Sequence, residues 1–109
     1  MKLIDLIKYL KSDEDLFKVY HDYNLNDESE AILVYAENTI NIDSDLIFFE
    51  FEETEDDLKY EKNGRIYFQL FHLKLGVEIY SYFNDVFEKE NYSESQKANR
   101  ILEYVLNDA

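Results

Sequence analysis

Carboxylates are the residues of this chain with the most chemistry to offer, and they crowd into residues 43–57, DSDLIFFEFEETEDD. Glu50, Glu52, Glu53, Glu55, Asp56 and Asp57 lie there with no Lys or Arg among them. Glu50 and Glu52 share one face of an expected strand, and two such carboxylates can serve as general acid and base, as in glycosidases. A general acid, however, needs burial to raise its pKa, and these acids run on into a solvated loop. Asp43-Ser44-Asp45 opens like a calcium loop, yet Phe48 stands where that loop needs Gly and Thr54 where it needs a bidentate acid. His21 and His72 are the only imidazoles, and neither has a Cys or a second His at ligand spacing, so no metal or cofactor is expected. No G-x-S-x-G, P-loop or G-x-G-x-x-G pattern occurs. The residues therefore specify a charged surface rather than a reaction, and no enzymatic activity is expected.

The surface is unevenly built. The net charge is −14 over 109 residues. Residues 1–12 carry three basic and one acidic side chain, residues 13–57 one basic and sixteen acidic, and residues 58–109 seven basic and eight acidic. One block of the chain thus holds nearly the whole imbalance. Such a field draws in cationic partners and repels nucleic acid and anionic membranes, so neither of those is an expected partner. A charge run of this kind also suits a merely solvated face. With no Cys, no uninterrupted apolar leader and no apolar run long enough to span a bilayer, a cytoplasmic protein is expected.

The length fits one domain with a single core, residues 1–109. Leu3, Leu6, Ile7 and Leu10 recur at helical spacing. Ser12 or Asp13 caps a second helix that runs to about Tyr23, with Leu16, Phe17, Val19, Tyr20 and Tyr23 on or near its inner face. Residues 27–37 read as a third helix capped by Asn26 or Asp27, with the β-branched Ile32 and Val34 making a strand the rival. A strand over about 41–53 follows, then a hairpin of 58–62 and 65–71 centred on Asn63-Gly64. A three-residue loop, Lys62-Asn63-Gly64, opposes Glu61 to Arg65. It gathers Leu58, Tyr60, Ile66, Phe68 and Leu70 on one face and leaves Tyr67 on the polar face, so that register is preferred. A helix over about 74–89 carries Leu75, Ile79, Tyr82, Phe83, Val86 and Phe87 as its stripe, and Ser93 or Ser95 caps the last helix. The expected fold is α+β: N-terminal helices, a three-stranded antiparallel meander, and two C-terminal helices packed on the sheet.

Exposed Tyr among carboxylates suits the binding of a basic protein, with aromatics as anchors and charge setting the on-rate. In size, acidity, lack of Cys and Asn/Ile/Lys/Tyr/Glu-rich usage, the chain resembles the small acidic immunity proteins of bacterial contact-dependent growth-inhibition and related polymorphic-toxin systems. The resemblance is one of character, carries no motif and transfers no residue role. It implies a cytoplasmic protein that binds a cognate toxin domain, often a basic nuclease, and covers its active site. The expected contact surface is Glu50, Glu52, Glu53, Glu55, Asp56 and Asp57, with Tyr67 as aromatic anchor. A mimic of DNA that sequesters a host DNA-binding protein is the alternative, and it needs carboxylates spaced along an extended face rather than clustered.

Overall fold

In the computed structural model, which describes residues 1–107, Ile32–Glu37 is a strand (β1) and not part of a helix over 27–37. Residues 32–36 are all buried. A strand covered on both faces shows neither a period of two nor a helical stripe, and β-branched Ile32 and Val34 suit the pleat. The acids expected to start a helix instead form a turn, in which the Glu28 amide donates to the Asn26 Oδ1 at 3.0 Å.

Four strands make one sheet in the order β2-β1-β4-β3, with β2 at Leu46–Glu50, β3 at Lys59–Lys62 and β4 at Arg65–His72. Every pairing is antiparallel. This corrects the three-stranded meander: two hairpins, β1–β2 and β3–β4, are joined through β1 and β4. The strand expected over 41–53 is shorter, because Phe51–Thr54 turns into a short helix, α3.

The β3–β4 hairpin closes on a two-residue turn in place of the expected three-residue loop Lys62-Asn63-Gly64. Lys62 pairs with Arg65 and Tyr60 with Tyr67 across a two-residue turn. Asn63 (φ 53°) and Gly64 (φ 78°) are both left-handed, as a turn matching the twist of the strands requires. Sorting polar from apolar residues misled because both faces of β4 are covered. A register shift between β1 and β4 sets Val34 opposite Phe71 and Tyr35 opposite Gln69, so both Leu70 and Phe71 pack in the helical core.

The helices cover one sheet face. They are α1 (Leu3–Leu6, continued by a 3-10 turn, Ile7–Tyr9), α2 (Asp13–Asp22), α4 (Leu73–Lys89) and α5 (Glu94–Asn107). Leu3, Leu6, Ile7 and Leu10 are fully buried and join Ile32, Val34 and Ala36 with the inner faces of the other helices. Ser12 caps α2 by accepting from the Asp15 amide, and Ser93 caps α5 by accepting from the Gln96 amide while Gln96 Oε1 accepts from the Ser93 amide. The buried face of α4 is rotated from the expected stripe. Leu73, Gly76, Ile79, Tyr80, Phe83 and Phe87 are buried, whereas Leu75, Tyr82 and Val86 are exposed. On α2, Leu16, Val19 and Tyr20 are buried while Phe17 and Tyr23 are exposed. Among the described residues no helix is long and apolar enough to cross a membrane.

Because β2 and β3 are opposite edges, the chain joining them must cross the whole sheet, about 14 Å for three strand spacings. Residues 51–58 do so on the face away from the helices. This strap, the acidic segment itself, is the lid of a second small core.

Candidate functional site

Beneath the strap, Leu33, Tyr35, Phe49 and Tyr67 form an aromatic cluster with Ile47, Phe51 and Tyr60 at its margin. Phe49 is its centre, with edge-on rings of Tyr35 at 5.5 Å and of Tyr60 and Tyr67 at 5.1 Å. Tyr67, expected on an open polar face, is only 8% exposed. The structure places it inside this cluster, because the strap covers the face that Tyr67 shares with Gln69 and the two-residue turn sets Tyr60 opposite it.

Tyr35 ties the strap to the central strand. Its hydroxyl lies 2.6 Å from the Asp57 carbonyl oxygen and 3.0 Å from Thr54 Oγ1. A carbonyl only accepts, so the tyrosyl proton goes to Asp57 and the buried Thr54 hydroxyl donates to Tyr35. Gln69 Nε2 donates to Asp56 Oδ1 at 3.0 Å, and His72 Nε2 reaches the same oxygen at 3.1 Å. Among the described residues no buried side-chain nitrogen or oxygen lacks a partner.

These tethers hold a bend that the acids would not choose alone. Glu55 (φ 53°) and Asp56 (φ 63°) are both left-handed, a region that costs a non-glycine residue about 1 kcal/mol. Asp is among the residues that tolerate it best.

The carboxylates divide into held and free. Lys62 Nζ donates to Glu53 Oε2 at 2.8 Å and the Tyr60 hydroxyl to the same oxygen at 3.0 Å. The Lys62 hydrogen bond holds the Glu53 carboxyl below its ordinary pKa, with Tyr60 adding to it and burial opposing. Glu52 is held down chiefly by the Glu30 amide, 2.9 Å from Oε2, and then by the Ser29 hydroxyl. Asn26 Nδ2 donates to Glu50 Oε1 at 3.0 Å. Glu55 and Asp57 make no side-chain hydrogen bond or ion pair among the described residues.

Those bonds bring the turn at 26–30 against the start of the strap. Asp27, Glu28 and Glu30 therefore join Glu50, Glu52, Glu53, Glu55, Asp56 and Asp57 in one acidic region. Among the described residues its internal ion pair is that of Glu53 with Lys62, and His72 contacts Asp56 through Nε2. Asp13, Glu14 and Asp15 sit apart in the first turn of α2, where the helix dipole favours them, with no hydrogen bond or ion pair to the strap. Of the tyrosines near acids in the sequence, Tyr9 is half-buried, Tyr20 is buried in the helical core, and Tyr35 is buried in the cluster of Tyr67. Tyr23 is 46% exposed and sits edge-on to Phe48, two residues before Glu50.

Residues 26–30 were not expected in the site, and nothing local announces them, since their partners lie more than twenty residues away. His21 is exposed beside Asp22, and among the described residues no three His, Cys, Asp or Glu side chains are grouped to hold a metal ion.

Fold and surface together define a small α+β domain whose acidic segment is tied across the outer face of an antiparallel sheet. No family model, curated protein or solved structure matches the chain.

Proposed function

We propose that this protein is a cytoplasmic inhibitor of the immunity type, one that binds a cognate toxin domain through its acidic region and covers that domain's active site. The observation that carries the reading is the convergence of two acid-rich segments, 26–30 and 50–57, through the bonds of Asn26, Ser29 and Glu30 to Glu50 and Glu52. A nuclease is electropositive where it holds phosphates, so a fixed group of carboxylates competes for that groove and speeds encounter. Fixing the strap beforehand also removes an ordering cost from binding. Clustering favours this reading over a DNA mimic, whose charges must run along an extended face.

The test takes as the toxin the variable C-terminal domain of a large secreted protein, if one is encoded next to this chain, and otherwise a basic nuclease captured with it. Glu28→Lys, Glu55→Lys and Asp57→Lys change exposed carboxylates that hold nothing in place. Together they are expected to slow association at least about tenfold and to flatten its salt dependence. Unchanged association, with inhibition intact, refutes the docking surface.

A further inference from the structure

The exposed half of the α4 stripe does not face water at random. Leu75 and Tyr82 of α4, Tyr104 and Leu106 of α5, and Leu58 at the end of the strap line a cleft of about 750 Å³, floored by Ile79 and residues 68–72 of β4. Leu58 is 77% exposed, Tyr82 75% and Leu106 52%. Single exposed apolar residues need no explanation, but three around one cleft in a chain this polar do. The short edge strand β3 stops before covering it.

The cleft is continuous with the acidic region. Asp57 precedes Leu58 directly, and His72, which lines the cleft, is bonded to Asp56 on the strap. Among the described residues Glu78 is the one carboxylate in its lining. An apolar centre with a charged rim is the layout of a protein interface; Lys59 beside Leu58 and Arg100 over the Phe83 ring are the nearby cations, and the adjoining strap supplies the carboxylates that select the occupant. A second copy of a chain with net charge −14 would bring its own acids against Asp56, Asp57 and Glu78, so a homodimer is disfavoured.

We infer that this cleft takes the apolar side chains of a cationic protein segment, whose Lys or Arg residues lie against the neighbouring strap. The inference rests on the function proposed above and adds to it the apolar anchor that Tyr67, being buried, does not supply.

The probe is a pair of synthetic amphipathic helices of about four turns. Both carry the same Leu/Phe stripe, one with Lys and the other with Glu on the opposite face. Each is titrated into the isotope-labelled full chain and followed by NMR. The Lys peptide is expected to shift Leu58, Leu75, Tyr82 and Leu106 with Asp57, and the Glu peptide to bind at least about tenfold more weakly. Leu58→Ser with Tyr82→Ser alters exposed side chains only and is expected to weaken the Lys peptide about tenfold.

Equal binding of both peptides overturns the inference, as do shifts mapping elsewhere, no binding at all, or a concentration-dependent dimer that these two substitutions abolish. If toxin association responds to the strap charge reversals but not to Leu58→Ser/Tyr82→Ser, the cleft inference fails while the proposed function stands. If it responds to neither, both fail.

Discussion

Removing one oxygen atom tests whether the strap is fixed by the sheet beneath it. Tyr35→Phe keeps the ring in its edge-on contact with Phe49 and deletes the hydroxyl that bonds the Asp57 carbonyl and the Thr54 hydroxyl. Tyr35 is fully buried and Thr54 is 1% exposed, so water does not readily replace the lost partner at Thr54. An unsatisfied buried polar group costs about 1–3 kcal/mol, and a figure of about 2 kcal/mol is reasonable here because Gln69 still tethers Asp56. For a domain of this size that is a fall in Tm of roughly 8–12 °C. In urea it lowers the midpoint by about 1 M at an unchanged slope. Tyr67→Phe is the control, since Tyr67 is buried in the same cluster but its hydroxyl makes no hydrogen bond among the described residues; its cost is expected to stay within about 0.5 kcal/mol. If the two variants melt together, the hydroxyl of Tyr35 does not hold the strap, and the account of a fixed acidic surface fails with it.

Further outcomes follow from other contacts. The Glu53 carboxyl is held below its ordinary value, so it stabilises the fold fully above about pH 4.5 and loses that contribution as pH falls through its lowered folded pKa. Glu53→Gln is therefore expected to cost about 0.5 kcal/mol at neutral pH, this being a largely exposed pair, with the gap to the parent closing in acid; a gap that persists below the carboxylate range contradicts the assignment. Gly64→Ala meets no atom within 4 Å but must keep a φ of 78°, so denaturant titration is expected to show a loss of about 1 kcal/mol. In α4, a methyl on Gly76 would sit 2.9 Å from the Phe71 ring and 3.0 Å from Leu10, both buried. Overpacking of about 1–3 kcal/mol then exceeds the helix gain of about 1 kcal/mol, and a Gly76→Ala protein that melts above the parent would sink that packing.

The helices at both ends and the Asn63-Gly64 turn were legible because their signals are local: a repeat of three and four residues, a capping serine, two residues that tolerate positive φ. The middle was not. Ile32 to Ala36 is uniformly apolar because helices lie on one side and the strap on the other, and such a run has no period to read. The same two-sided cover reversed the hairpin register and hid Tyr67. Asp27, Glu28 and Glu30 resemble a helix start, yet the amide and hydroxyl groups around them are spent on Glu50 and Glu52, partners that only the fold supplies. The acids of 50–57 were legible as a surface; that they lie across a sheet became visible only once β2 and β3 stood at opposite edges.

That crossing also ties recognition to completion. The tethers of the strap come from both hairpins, Tyr35 from one and Gln69 and His72 from the other. Glu50 and Glu52 are held from the first half, but Glu53 and Asp56 take up their positions only after both halves have joined. Under the proposed function, a toxin that reads those positions would act as a ligand of the finished molecule alone, and at a free concentration a hundredfold above its Kd it would deepen the native well by about 2.7 kcal/mol. Half-made chains would neither capture the toxin nor gain from its presence.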